Sequence, residues 1–339
     1  MLKFSFNRLL IVLLVVLLAD LGVALWVTWF LEPAGSGEKA LVDIPPGLSS
    51  GQIADTLEAR GVLKGTLLFR VALLFGDADL KAGRYVFRKP QAPGRVLSKL
   101  RRGETEKIWL RIPEGLWQEE TAQLIAERLD LDAAELKEKL NSTGDWDYAF
   151  LDGASDLEGV LFPDSYAFEY PVGVEDVIPR LLGRFDEVIH RLLRKNSLEE
   201  LGLNLREWIT LASIVEAETL LDEERERVAA VYLNRLAKGM KLEADPTVIY
   251  GLGERKRRLF YRHLEDESPY NTYRNEGLPP GPICSPGARS LEAVLSADLS
   301  DSSLYFVARG DGGHFFSTTF QEHLSKVEMV RNGRKQVNP

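Results

Sequence analysis

The pattern of apolar and polar residues divides the chain into three stretches. Residues 9–31 are almost continuously apolar, with Asp20 as their only charged residue, and about 20 apolar residues are enough to cross the hydrocarbon core of a membrane. Residues 32–39 are small or polar, which is typical of a flexible linker. From residue 40 onward, apolar residues recur at helix and strand spacings. The pattern therefore predicts a transmembrane helix, a linker and a folded α+β region.

The charges before the apolar run predict its orientation. Lys3 and Arg8 precede it, so the positive-inside rule places residues 1–8 in the cytoplasm and everything after Glu32 of this single-pass protein outside the membrane. A cleaved signal peptide is the alternative, but its apolar core is usually shorter. We therefore favour an uncleaved anchor. Asp20 is costly at that depth, and a partner helix facing it is one explanation.

Two small α+β segments are predicted after the linker. Residues 40–105 give a strand, two helices, a strand and a further helix, an order that resembles a LysM-like module. Residues 106–145 repeat a strand followed by two helices. The predicted elements are strands 40–44, 83–87 and 108–112, and helices 50–60, 65–75, 96–101, 118–128 and 133–140.

Residues 146–339 are predicted to form a mixed α+β domain. Asp222 and Gly239 are the predicted N-cap and stop of one of its helices, whose apolar positions, Tyr232 among them, are predicted to be core. The long irregular segment 251–287 is typical of a functional loop. The predicted helices are 178–195, 205–219, 223–238, 245–250, 290–297 and 320–330, with a hairpin of strands 304–308 and 314–317.

One helix carries the candidate chemistry. Residues 208–215 contain no charged residue, and Glu216 and Glu218 follow them. A carboxyl at the end of a buried helix loses the hydration of its charged form, so its pKa rises and it can serve as a general acid. The two glutamates lie about 200° apart round the helix and cannot both face one cleft. The helical wheel does not choose between them, and the alternative is that both are solvated or paired charges.

Composition excludes several classes of function. The chain has 339 residues and a net charge of -9, which argues against binding of nucleic acid. Its one dense basic run, Arg255–Arg258, is predicted to be a solvated loop. Cys284 is the only cysteine, so no intramolecular disulfide can form, and the four histidines lack metal-ligand spacing. We predict no metal and no cofactor.

Six segments in order resemble the endolytic murein transglycosylases, the MltG or YceG-like family. They are EGVLFPDSYAF (158–168), LASIVEAET (211–219), VAAVYLNRLAKGMKLEADPTVIYGLG (228–253), SPYNTY (268–273), GLPPGPICSPG (277–287) and LYFVARGDGGHFFSTTFQEH (304–323). The resemblance implies cleavage of the β-1,4 bond between N-acetylmuramic acid and N-acetylglucosamine at internal positions of nascent peptidoglycan, so that cutting limits strand length. The product ends in a 1,6-anhydro ring. Because the sugar's own O6 hydroxyl attacks C1, one carboxyl suffices where an ordinary glycosidase needs two.

The resemblance also implies the catalytic residue. The family's catalytic glutamate is followed by Thr, so Glu218 is expected to act as general acid and then as general base, with Glu216 held in reserve. This chain departs from the family at Ala217, where Lys is frequent, and at Glu243-Ala244, where Gln-Thr is common. No role is transferred to Ala217 or Glu243.

Five further residues are candidates for binding substrate. Tyr270, Asn271 and Tyr273 match a family motif that lines the cleft, where they are expected to hold an N-acetyl carbonyl or steady an oxocarbenium-like charge. Packing of the long loop is their alternative role. Asp245 is expected to orient a group in the cleft, or else to cap the helix that follows it. Asn234 is expected either to reach Glu218 or to be a buried structural amide.

The expected partners follow from the same reading. They are glycan strands of peptidoglycan as substrate, the membrane as anchor, and proteins of cell-wall synthesis. His314 and Thr319 belong to the family hairpin, and His314 is predicted to be structural. A non-enzymatic scaffold and a true hydrolase are the rival functions, and only a transglycosylase leaves anhydro ends. No motif presents a second acid clearly placed as a nucleophile, which favours the transglycosylase.

Overall fold

A computed structural model describes residues 3–30, 37–74, 79–256 and 258–337. These residues form 13 α-helices and six strands, which confirms the α+β class. Each predicted helix and strand has a counterpart, while the short α11 and the short strand β4 were not among the predicted elements. The helices are α1 (Lys3–Phe30), α2 (Ser50–Ala59), α3 (Leu67–Leu74), α4 (Pro93–Arg102), α5 (Gln118–Leu129), α6 (Ala133–Leu140), α7 (Val174–Leu193), α8 (Leu205–Glu218), α9 (Arg225–Ala237), α10 (Asp245–Gly251), α11 (Tyr261–Leu264), α12 (Ala288–Leu295) and α13 (Phe320–Val337). The strands are β1 (Lys39–Ile44), β2 (Gly83–Arg88), β3 (Ile108–Arg111), β4 (Ser165–Phe168), β5 (Tyr305–Ala308) and β6 (His314–Ser317).

The chain divides into two compact units. The first contains Met1–Trp109 and the short piece Ala167–Val172, and the second contains Leu110–Tyr166 and Gly173–Pro339. The predicted segment 106–145 therefore falls on both sides of the division. The predicted catalytic segment 146–339 lies in the second unit except for residues 167–172.

The first unit is built on an antiparallel pair of strands. β1 pairs with β2 from Lys39 opposite Arg88 to Ile44 opposite Gly83. Alternate residues of both strands are buried, as expected of a sheet with one face on the core. Ser49 begins α2 with a capping box to Gln52. The predicted order of strand, two helices and strand is confirmed, while its LysM-like character stays a prediction.

The predicted transmembrane segment coincides with most of α1. Within the part of the chain whose side chains are described, no helix is long and apolar enough to cross a membrane. Residue 31 and the side chains of residues 9 and 26–30 lie outside the described part, as do residues 32–36 of the predicted linker.

The second unit is organised around α8. Every side chain from Trp208 to Val215 is buried, which confirms the predicted buried helix. Asn204 caps its start by accepting from the Glu207 backbone N–H, and the Glu207 carboxylate accepts from the Asn204 N–H in return. Trp208 Nε1 donates to the Leu291 carbonyl at 2.9 Å, and α9 and α12 pack against α8. The core therefore fixes the direction in which the end of α8 points.

The predicted N-cap of α9 was wrong. A 3-10 turn, Asp222–Glu224, precedes the helix, and Glu224 occupies the cap position. The Asp222 carboxylate instead accepts from Arg225 Nε at 3.0 Å and pairs with Arg289. An arginine three residues downstream thus competes successfully for the carboxylate that would otherwise cap the helix.

Candidate active site

Glu218 is the last residue of α8 and lines a cavity of about 290 Å³ in the second unit. The cavity is formed where the end of α8 meets α9, the start of α10 and the β5–β6 hairpin. Its polar lining includes Glu218, Tyr232, Asp245, Tyr273, His314 and His323. Two of the residues predicted to bind substrate, Asp245 and Tyr273, therefore share one cavity with the predicted acid.

The environment of Glu218 suits a proton donor. Burial raises its pKa from 4.5 to about 7, and repulsion from Asp245 adds to this, while a hydrogen bond from Tyr232 lowers it. The Tyr232 hydroxyl donates to Glu218 Oε1 at 3.0 Å. A carboxyl with this pKa holds its proton over a large part of the neutral range and can also lose it. Desolvation thus dominates over the one hydrogen bond that favours the charged form.

Glu216 occupies a different environment, on the opposite side of α8. Its side chain is buried beside Arg225, with 3.3 Å between Arg225 Nη1 and Glu216 Oε1. Glu216 Oε2 accepts from the Gly287 N–H at 3.0 Å and from Ser290 Oγ at 2.8 Å. A buried carboxylate held by a guanidinium and two donors is a structural anchor. It ties α8 to α9 and α12, so the ambiguity of the helical wheel is resolved by contacts that are distant in sequence.

Asp245 is oriented by Tyr273. The Tyr273 hydroxyl donates to Asp245 Oδ1 at 2.7 Å. Burial, and then the charge of Asp245, raise the pKa of Tyr273, so its hydroxyl stays protonated and keeps donating. Ala244, and not Asp245, occupies the N-cap position of α10. Tyr273, a side chain of the long loop, therefore orients the Asp245 carboxylate, which does not cap its own helix.

Tyr270 and Asn271 lie in the same loop but do not line this cavity. Asn271 is buried, and its amide donates to the carbonyls of Leu264 at 3.0 Å and Asp266 at 2.7 Å. Its Oδ1 accepts from the Tyr273 N–H at 3.0 Å. Tyr270 packs its ring against Tyr250, with 4.8 Å between the ring centroids. These contacts favour the alternative reading, in which both residues organise the loop that presents Tyr273.

Asn234 is also placed away from the cavity that Glu218 lines. Its amide donates to the carbonyls of Asp301 at 2.6 Å and Ser303 at 3.0 Å, so it joins α9 to the loop before β5. Asn234 follows Tyr232 by two residues and points to another side of α9. It lines a different, larger cavity, of about 870 Å³, whose walls include the N-terminal end of α8, the C-terminal part of α9 and the loop of residues 276–280. The contacts favour the structural alternative for Asn234.

Sequence reasoning missed several residues of the site. Tyr232 was predicted as core, and its ring is indeed buried, but its hydroxyl is the hydrogen-bond partner of Glu218. Arg235, one helical turn later, donates to Glu243 Oε2 at 3.1 Å, and both line the cavity. The sequence contained a signal for Tyr232, because its hydroxyl is a polar group on an otherwise apolar helical face, and a buried tyrosine hydroxyl needs a hydrogen-bond partner.

His314 lines the cavity from β6. Its Nδ1 lies 2.8 Å from Glu224 Oε2, and its backbone N–H donates to Glu224 Oε1 at 3.0 Å. The ring packs edge to face on Phe306. The carboxylate fixes the orientation of the imidazole, which fits the predicted structural role and also forms part of the cavity wall.

The cavity holds more carboxyl groups than the sequence motifs indicated. Asp245 and Glu243 line it together with Glu218. The sequence motifs present no second acid clearly placed as a nucleophile, but Asp245 is close enough to raise the pKa of Glu218. The number of carboxyl groups alone does not separate a transglycosylase from a hydrolase.

Comparison with known proteins gives a consistent picture. The YceG-like family matches residues 42–329 of this chain. An endolytic murein transglycosylase of Bacillus subtilis is 32% identical over 333 residues, covering 93% of this chain and 92% of that protein. One of Streptococcus pneumoniae is 29% identical and covers 85% of this chain, which spans 58% of the longer relative. The crystal structure of a YceG-like protein from Listeria monocytogenes is similar with a TM-score of 0.59 and 32% identity, covering 86% of this chain and 99% of that one.

Proposed function

The chain belongs to the YceG-like family, and from this membership we infer that it is an endolytic murein transglycosylase. It is a lyase that cuts peptidoglycan glycan strands at internal β-1,4 bonds between N-acetylmuramic acid and N-acetylglucosamine, and it leaves 1,6-anhydro ends. The similarity to a named transglycosylase along nearly the whole length of both proteins carries this conclusion.

We propose that Glu218 performs both proton transfers. In its neutral form it protonates the glycosidic oxygen that leaves as O4 of N-acetylglucosamine, and the C1–O4 bond breaks. O6 of the muramic acid residue then attacks C1, and the O6 proton passes to the Glu218 carboxylate. The acid is thereby restored and no water is consumed. A pKa of about 7 supports this double role, because neither protonation state is strongly disfavoured near neutrality.

We propose that Asp245 stabilises the positive charge that develops at C1. Its charge already acts on Glu218 within the same cavity, and Tyr273 holds the carboxylate in one orientation. A fixed negative charge in a partly desolvated site stabilises an oxocarbenium-like transition state without rearrangement during the reaction. Tyr270, Asn271 and Asn234 then support the site indirectly, through the loops that they hold.

The test is replacement of Glu218 by Gln. Glu218→Gln keeps the size of the side chain and removes the transferable proton, so we expect anhydro-end formation on purified glycan strands to fall by at least about 10²-fold. Glu226→Gln, an exposed position on α9, is the control. Full activity in Glu218→Gln would refute its role.

The mass of the product tests the reaction type. An anhydro end is lighter than a reducing end by one water, so mass spectrometry separates a transglycosylase from a hydrolase. The presence of Asp245 in the cavity makes this measurement informative, because a second carboxylate could in principle direct a water molecule. Reducing ends in place of anhydro ends would overturn the transglycosylase assignment.

We also propose that residues 9–31 anchor the protein in the inner membrane, with residues 1–8 in the cytoplasm and the catalytic unit in the periplasm. The apolar run and the preceding Lys3 and Arg8 support this orientation. Along the chain, the LysM-like module, residues 40–105, follows the proposed anchor and precedes the catalytic segment. Protease added to intact spheroplasts should digest the catalytic unit and spare an epitope fused to Met1.

A further inference from the structure

Helix α3 in the first unit has an apolar face that no other part of the described chain covers. Leu67, Val71 and Leu74 are 73%, 40% and 80% exposed, and their spacing of four and three residues places them on one side of the helix. The opposite side packs on the core through Phe69, with Ala72 and Leu73 partly buried there. A helix that is apolar on both sides is typical of one buried between a protein core and another apolar phase.

The position of α3 along the chain favours the membrane as that phase. Eight residues separate the end of α1 from the start of β1, and they can reach at most about 30 Å. If α1 lies in the membrane, the whole first unit is held close to its outer surface. This step rests on the membrane anchor of the proposed function.

The packing of the first unit points in the same direction. α4 contacts both α1 and α3, so α3 belongs to the group of helices next to the proposed anchor. The first unit also contains more Lys and Arg than Asp and Glu, although the whole chain has a net charge of -9. Lys64, three residues before the apolar face, is exposed. Basic residues beside an apolar helix face favour an anionic lipid surface.

We propose that Leu67, Val71 and Leu74 of α3 insert into the outer surface of the membrane that holds α1, and so give the first unit a second attachment to the lipid. The face lies on the membrane as an interfacial helix and does not cross it. Two contacts restrict rotation of the first unit about its tether.

The experiment uses the full chain reconstituted in vesicles of phosphatidylethanolamine and phosphatidylglycerol. A fluorophore is attached at Leu74→Cys, and quenching by lipids with brominated acyl chains is measured. Cys284 is buried and does not compete for the label. Leu220→Cys is the matched control, because Leu220 is 81% exposed but lies in the second unit. Leu17→Cys reports whether α1 is in the bilayer.

We expect quenching of about twofold or more at Leu74→Cys, as for a side chain about 5–10 Å into the interface, and none at Leu220→Cys. The label at Val71→Cys should lose its quenching when Leu67 and Leu74 are both replaced by Gln. A label at Leu74→Cys that bromine does not quench, while Leu17→Cys is quenched, overturns the proposal. So does a change in emission that depends on protein concentration and not on lipid, because a second copy then covers the face.

Failure of other parts of the proposed function gives different results. An unquenched label at Leu17→Cys removes the anchor and with it the tether on which the proposal depends. Anhydro ends formed by the same vesicles report the enzyme separately. Quenching at Leu74→Cys without any anhydro product would sustain the lipid contact and contradict the enzymatic assignment.

Discussion

Two glutamates two residues apart have opposite roles because they face opposite environments. Glu218 reaches a cavity and meets one tyrosine hydroxyl, while Glu216 is held by Arg225, Ser290 and the Gly287 N–H. The first carboxyl can exchange a proton. The second connects α8 to α9 and α12.

This difference predicts that Glu216→Gln lowers stability and leaves chemistry intact. Removing Glu216 from the buried ion pair leaves Arg225 paired with the half-exposed Asp222 but without its buried charge partner, at a cost of about 2 kcal/mol in the free energy of unfolding. Thermal unfolding should begin several degrees lower, while the rate of anhydro-end formation per folded molecule, measured well below that temperature, stays near wild type. Lost activity with unchanged unfolding would contradict the assignment of the two roles.

Tyr232 predicts the shape of the pH profile. Its hydroxyl donates a hydrogen bond that lowers the pKa of Glu218, while burial raises that pKa to about 7. The wild-type rate should therefore fall as pH rises through about 7, because the acid loses its proton. In Tyr232→Phe the bond is lost, the pKa of Glu218 rises, and the alkaline limb should move up by about one pH unit. The measurement is kcat/KM against pH for both proteins. An alkaline limb that stays in place or moves down would show that the hydroxyl does not act on the proton donor.

At the scale of elements, the long loop from α11 to α12 is held together by Asn271. Asn271→Ala removes the two hydrogen bonds that this buried amide donates to carbonyls, and also the acceptor of the Tyr273 N–H. We expect a loss of about 2–3 kcal/mol in stability and a fall in kcat, because Tyr273 no longer holds Asp245 in place.

Asn275→Ala is the matched control for this loop. Asn275 bonds to backbone carbonyls of the same loop but is exposed, so its loss should cost little in stability and leave kcat unchanged. Equal effects of the two variants would show that Asn271 has no special part in placing Tyr273.

The sequence predicted the elements better than their contacts. Helix 133–140 was predicted at the bounds found for α6, since helical periodicity is a local signal. The site depends on pairs that are far apart in sequence, such as His314 with Glu224. No local pattern encodes such a pair. The same reason explains why Glu216 and Glu218 could be separated only by family resemblance, and why Asn234 and Asn271 were candidates for the cleft.

At the scale of the whole molecule, the second unit contains a further buried carboxyl, that of Glu158, which has no role in the proposed reaction. Glu158 accepts from the backbone N–H groups of Gln118 at 3.0 Å and Gly159 at 3.2 Å, and from the Tyr250 hydroxyl at 3.2 Å. Burial nevertheless raises its pKa to about 7, against these hydrogen bonds. Glu158 thus joins the start of α5 to α10, and it is more easily protonated in the folded chain than in the unfolded one.

Glu158 and Glu218 together predict a particular pH dependence of stability. Each has a pKa near 7 when folded and 4.5 as its ordinary value, so between these values the folded chain binds more protons than the unfolded chain. Their contribution to stability is complete below about pH 4.5 and is lost as pH rises to about 7, at up to about 1.4 kcal/mol per pH unit for each group.

Glu158→Gln imitates the protonated form and should make the unfolding temperature fall less steeply over this range than in the wild type. Glu254→Gln is the control, because Glu254 is exposed and its pKa is lowered by Lys256. If Glu158→Gln has the same slope as the wild type, Glu158 is ionised in the folded protein, and its burial has been offset by the three donors around it.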